Sequence, residues 1–165
     1  MFRLHVPAIL IILGFTAIRL LVAPTFGLGV DEAHYVLYAK YLDLSYVDHP
    51  PLVGWIHAAV FYLLGTDEFL ARLPAILLFA LASWFAYRIS WSISRSRTTA
   101  IVALLALNGA FMLNALAIML LPDSILILLS LLIVIRTRKL VRHGRTRDFL
   151  IVGLLLGLAG LTKYT

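Results

Sequence analysis

Four short stretches carry residue types that could do chemistry in an otherwise apolar chain: VDEAHYVLYAKYL at 30–42, YVDHPPLVGW at 46–55, MLLPDSILILL at 119–129 and GLTKYT at 160–165. Asp31 follows GLG and opens an amphipathic stretch, with Asp31, Tyr35, Tyr38 and Leu42 on one helical face. A carboxylate fixed at a helix start could take a proton from an incoming hydroxyl as a general base. The same position also suits an N-cap, with Glu32 favoured by the helix dipole. Asp48 and His49 precede Pro50 and Pro51. They either cap the helix that these prolines start, or project into a cleft as metal ligands or as contacts to a phosphate and sugar. Two candidate ligands do not by themselves define a metal site. Asp123 either caps the segment after Pro122 or joins Asp31 in one site. Lys163 adds a cation near the chain's end, and Arg19 is expected to snorkel to the membrane surface.

Several chemistries are excluded. There is no cysteine, so thiolate ligation, cysteine nucleophiles and disulfides are absent. DEAH at 31–34 is the name of a helicase box, yet no GxxxxGK[ST] loop accompanies it. The net charge of +6 comes from basic residues set between apolar runs, the pattern that encodes membrane orientation, and implies no nucleic-acid partner.

The elements that must position these residues are membrane helices. A chain that is 62% hydrophobic and 13% charged, with a mean hydropathy of +1.00, is too apolar for a soluble domain of its size. Apolar runs near the length that crosses a bilayer lie at about 6–23, 69–91, 99–119, 121–135 and 149–162, the last two short. The run at 51–65 holds His57 and begins with prolines. If it does not span, SISRSRTT at 92–99 and RTRKLVRHGRTR at 136–147 both fall on the side of the N-terminus, as short basic loops should on the cytoplasmic side. That segment is therefore expected to lie in the outer interface. Residues 24–68 then form an outer loop, with Asp31, Glu32, Asp43, Asp48, Asp67 and Glu68 outside, Asp123 also on the outer side, and Asp148 alone facing the cytoplasm.

In order and spacing, DEAHYVLYAKYL, YVDHPPLVGWIHAAVFYLLG with ARLPAIL, LLPDSILILLSLL and GLLLGLAGLTKYT resemble the N-terminal part of the polyprenyl-phosphate-sugar-dependent membrane glycosyltransferases. These include the protein O-mannosyltransferases, the lipid A aminoarabinose transferase and the related family 39 enzymes. The resemblance implies an all-α, polytopic transmembrane bundle of the GT-C type, with interfacial helices in the first outer loop roofing the active site. It implies inverting transfer of a sugar from a polyprenyl-phosphate donor to a lipid, glycan or protein acceptor at the outer face of a bacterial inner membrane, the N-terminus being cytoplasmic. Asp31 matches the family's first-loop catalytic aspartate, and Asp123 matches a second aspartate that shapes the acceptor site. Glu32, Asp48, His49 and Lys163 are the expected substrate contacts. Asp48 aligns with an acid able to contact a metal, so a divalent cation is a candidate cofactor. His49 stands where the aminoarabinose branch has a lysine on the donor phosphate. Family members continue with further spans, so the chain is expected to be a fragment, inactive alone. A transporter or channel segment, with Arg19 and Asp123 lining a path, and a non-catalytic membrane remnant are the competing expectations.

Overall fold

The computed structural model describes residues 5–164. Among them the chain folds into eight α-helices and no strand: α1 (Val6–Val22), α2 (Val30–Lys40), α3 (Leu52–Leu64), α4 (Glu68–Ser94), α5 (Arg97–Gly109), α6 (Phe111–Ile118), α7 (Pro122–His143) and α8 (Thr146–Gly160). The fold is an all-helical membrane bundle. Val6–Thr25 and Glu68–Ser94 are each long and apolar enough to cross a bilayer, and α5 with α6 passes the same test as one pair bent by 70°. Leu10, Leu13, Ile18 and Leu21 on α1 and Leu77, Leu81 and Ile93 on α4 are exposed, as lipid-facing side chains are. At 13 residues α3 is only about 20 Å long, short of the hydrocarbon thickness.

Two apolar clusters hold the bundle. Ala8, Ile12, Tyr87, Ala100 and Leu104 join α1, α4 and α5 near one end. Tyr35, Tyr38, Val53, Ala75, Leu120, Ile125 and Leu129 join α2, α3, α4 and α7 near the other. His5 stacks edge-on against Trp84 and Trp91, so the start of α1 meets the end of α4. The end of α7 lines a cleft with the same part of α4. Arg88, Arg138, Lys139 and Arg142 thus share one end of the bundle, and the segment between α1 and α4 roofs the opposite end.

Local chemistry sets the element boundaries differently from three sequence expectations. The N-cap of α2 is Gly29 rather than Asp31; its N–H donates to Glu32 Oε2 at 2.9 Å, which puts Asp31 one residue inside the helix. Leu121, in extended geometry, precedes Pro122 at the start of α7, so Asp123 is also inside its helix rather than capping it. Pro51 precedes α3 with no side-chain cap, which leaves Asp48 and His49 free of that role. By contrast Asp67 does cap α4, accepting from Phe69 N at 2.8 Å.

The apolar run at 99–119 is not one straight helix, because the backbone turns extended at Ala110. Arg19 is part of the reason, and it does not snorkel. Its side chain is buried, 2% exposed, where Nη2 donates to Asn108 Oδ1 at 3.0 Å and to Asn114 Oδ1 at 2.8 Å. The guanidinium lies 4.6 Å from the Phe79 ring centroid.

Candidate functional site at the roofed end of the bundle

The site rests on a residue to which the sequence reading gave no role. Arg72, on α4, is fully buried and uses every donor it has. Nε and Nη2 donate to the two Glu32 oxygens at 2.9 and 2.7 Å, Nη1 to the carbonyls of Ala23 and Phe26, and Nη2 also to the Gly27 carbonyl at 2.9 Å. The Phe26 ring lies against the guanidinium at 4.1 Å. One side chain therefore ties the turn after α1 and the first turn of α2 to a membrane helix. Glu32, expected to contact substrate, has both oxygens engaged in this clamp and is 3% exposed. The signal in the sequence was an arginine inside the apolar run ARLPAIL.

Above this clamp, α2 presents Asp31 to solvent and turns Tyr35 and Tyr38 inward. Close packing makes this possible: a Cβ on Gly54 of α3 would stand 2.6 Å from the Cβ of Tyr38. Tyr46 stacks flat on Tyr38 with centroids 3.6 Å apart, and its hydroxyl shares its one proton between the Tyr38 and Tyr41 carbonyls at 2.9 and 3.0 Å. Trp55 Nε1 donates to the Asp43 carbonyl at 3.0 Å. The loop at 41–51 is thereby held by aromatic side chains, and it delivers Asp48 to α2.

Asp48 ties this loop to α2. Tyr38 donates its hydroxyl to Oδ1, and His34 Nε2 lies 2.7 Å from Oδ2. His49 Nδ1 is 3.3 Å from Oδ2, but its angle makes no hydrogen bond, and this buried nitrogen is left without a partner. The Tyr38 hydroxyl first, with His34 adding to it against an opposing effect of burial, holds the Asp48 carboxyl well below the usual carboxylate range. Burial, together with the charges of Asp48, Asp31 and Asp123, pushes the Tyr35 phenol up to about 12. Tyr35 meets the His49 ring edge-on at 5.2 Å.

The fourth wall comes from the end of the chain. The Leu52 N–H donates to the Leu161 carbonyl at 3.1 Å, and Ser45 Oγ lies 2.7 Å from the Tyr164 hydroxyl. This brings Lys163 to Asp123, with Nζ 2.9 and 3.0 Å from the two oxygens, in a pair about one-third and one-half exposed. Asp123 is positioned by Pro122 and by Ser124, whose hydroxyl donates to the Met119 carbonyl at 2.7 Å. Asp31, Asp48, His49, Asp123 and Lys163 thus share one end of the bundle, while Glu32 lies beneath them in the clamp. Among the described residues no group of three or more histidines and carboxylates is set to hold a metal ion.

A cleft of about 1230 Å³ lies on the other face of α2, where Val36, Leu37 and Lys40 face Trp55 and Tyr62 of α3. Its lining is mainly apolar, and Asp31, Asp48 and Asp123 are not part of it.

A family model described as dolichyl-phosphate-mannose-protein mannosyltransferase matches residues 48–165, a stretch that includes Asp48, His49, Asp123 and Lys163 and begins after α2. No curated protein and no solved structure matches the chain.

Proposed function

The chain belongs to the dolichyl-phosphate-mannose-protein mannosyltransferase family, and from that premise we propose that its roofed end takes part in glycosyl transfer from a polyprenyl-phosphate sugar to an acceptor at the outer face of the membrane. The observation that carries this reading is the meeting of the Asp48 loop, the start of α7 and the end of the chain at one end of the bundle, with Lys163 held against Asp123.

In the proposed reaction an acceptor hydroxyl attacks the anomeric carbon from the face opposite the lipid phosphate. The new carbon–oxygen bond forms as the carbon–phosphate-oxygen bond breaks, and the lipid phosphate leaves with the electron pair, so the anomeric centre inverts. Asp31, solvent-facing and ionisable, takes the acceptor's proton. Asp123 orients the acceptor. Charge building on the leaving phosphate needs a cation or hydrogen-bond donors. Lys163 supplies the charge once the donor phosphate takes the place of Asp123, and His49 offers the ring nitrogen that now has no partner. Asp48 holds His34 through its 2.7 Å contact.

The test uses the full-length protein in lipid vesicles with a radiolabelled polyprenyl-phosphate sugar, reading donor cross-linking and sugar transfer separately. Asp31→Asn should reduce transfer by about 10²–10⁴-fold while donor cross-linking persists. Lys163→Gln should weaken cross-linking itself. Donor binding unchanged in Lys163→Gln, or transfer undiminished in Asp31→Asn, would overturn the corresponding assignment.

A further inference from the structure

The opposite end of the bundle holds a second feature that glycosyl transfer does not use. A cleft of about 430 Å³ opens between the ends of α4 and α7. From α4 it is lined by Trp84, Arg88 and Ser92, spaced i, i+4 and i+8; from α7 it is lined by Arg138, Lys139, Arg142 and His143, two i, i+4 pairs on one face. Four permanently charged side chains therefore face one small volume. Like charges at this spacing on one helix face disfavour the helix, and nothing opposite them compensates. Among the described residues none of the four makes an ion pair with a carboxylate. Asp148 is the one acid C-terminal to Asp123, and it pairs with Arg136 instead.

The surroundings indicate the depth of the cleft. Trp84, Tyr87 and Trp91 form a run of aromatic residues along this end of α4, joined by His5, and such residues collect at the level of lipid headgroups. Arg88 lies 5.6 Å from the Trp84 ring. Toward the middle of the bundle the lining continues with Phe85, one turn before Arg88, and Ile135, one turn before Arg138 and Lys139. A cationic mouth over an apolar floor at headgroup depth matches a phosphate carrying acyl chains better than a free anion.

We infer that the cleft between α4 and α7 is a binding site for the phosphate of an anionic phospholipid, held by Arg88, Arg138, Lys139 and Arg142. Basic pockets between membrane helices recognise such headgroups, and their short basic loops identify this as the cytoplasmic leaflet. The lipid then supplies the negative charge that the α7 face lacks and fastens α7 to α4.

The experiment uses the chain with Trp84 as its sole tryptophan (Trp55→Phe, Trp91→Phe) in phosphatidylcholine vesicles, with Trp84 fluorescence quenched by brominated phosphatidylglycerol or brominated phosphatidylcholine as a minor component. Phosphatidylglycerol should quench preferentially. Arg138→Gln with Arg142→Gln should reduce that preference by about fivefold per removed cation, whereas Arg95→Gln with Arg97→Gln, at the same end but outside the cleft, should leave it. Equal quenching by the two lipids would overturn the proposal, as would an equal loss in both double variants, which would mean a diffuse surface charge. Relief of phosphatidylglycerol quenching by millimolar inorganic phosphate would assign the cleft to a soluble anion and overturn the lipid reading. Sugar transfer is not read in this assay, so its outcome is independent of the proposed reaction.

Discussion

Replacing Arg72 by methionine isolates what holds the roof in place. The substitution leaves Glu32, 3% exposed, as a buried carboxylate whose remaining donor is the Gly29 N–H, and it strips the partner from the carbonyls of Ala23, Phe26 and Gly27. Removing one member of a buried ion pair typically costs about 3–5 kcal/mol, because the other charge stays behind without compensation. Each buried carbonyl left unpaired adds about 1–3 kcal/mol where water cannot reach it. Water will reach some of the 23–29 turn, so the ion-pair figure is the safer estimate; by the scale for domains of this size it lowers the melting temperature by about 10 °C. Two further variants separate charge from shape. Glu32→Met alone leaves Arg72 with its three carbonyls and Phe26, and should cost less than Arg72→Met. The double methionine variant removes both charges and should recover part of the loss of Arg72→Met, though not the carbonyl share. The assay is thermal unfolding in detergent, followed by size-exclusion fluorescence. An Arg72→Met chain that melts with the wild type, or a double variant no more stable than Arg72→Met, would refute the reasoning.

Four further outcomes are expected. Gly54→Ala forces a methyl into the 2.6 Å gap to the Tyr38 Cβ, and overpacking of this kind costs about 1–3 kcal/mol; unfolding measurements should show the loss, and unchanged stability would mean that α2 and α3 pack less closely than described. The Tyr35 phenol should remain protonated in the folded chain until the pH passes through about 12, so its contribution is complete below the ordinary tyrosine pKa of about 10 and lost above it; ultraviolet difference absorbance of Tyr35→Phe against wild type checks this, and a tyrosinate already formed at pH 10 in the folded chain would contradict it. Asp48 has the opposite sign: its lowered pKa stabilises the fold above the ordinary carboxylate value of about 4, and that share disappears as the pH falls below it, so Asp48→Asn should flatten the acid limb of the stability curve. A cysteine at Ser45 should react with an impermeant thiol reagent from the outer side only, the rest of the chain having none; labelling from the cytoplasmic side would reverse the orientation inferred from the basic loops.

The positions of the helices were legible because hydrophobic length is a strong signal in membrane proteins. The bundle's division into a carboxylate-bearing end and a basic end was legible for the same reason, since acids and bases alternate between successive apolar runs. Caps were not. Asp31 and Asp123 each had the residue type of an N-cap, but Gly29 and Leu121 fill those positions, because the preceding GLG and the following Pro122 decide where helical geometry begins. The partners of Asp48 were also out of reach: His34 is fourteen residues away, and only the stacking of Tyr46 on Tyr38 brings the loop back to α2. The pairing of Lys163 with Asp123 spans forty residues and depends on the end of α8 docking against the start of α3.

Arg19 and Arg72 looked like unrelated anomalies in apolar runs, yet they answer the same physical problem. Non-helical backbone inside a membrane protein survives only where its freed polar groups find partners within the protein. Arg72 takes the carbonyls of the turn between α1 and α2 directly. Arg19 works one step removed: Asn114 Nδ2 caps the Asn108 and Ala110 carbonyls where α5 breaks, at 2.7 and 3.0 Å, and Arg19 holds the oxygen of that same amide. Asn108 completes the arrangement by donating to the Leu104 carbonyl at 3.0 Å and to Ser83 on α4 at 3.1 Å. In both cases a cation on a continuous helix stabilises an interruption elsewhere in the chain. The arginine is the visible trace in the sequence, and the interruption it supports is the part that shapes the roofed end. A charge in an apolar run can therefore mark irregular backbone in a neighbouring segment as well as a ligand or a conducting path, and the buried guanidiniums of Arg19 and Arg72 are both of the first kind.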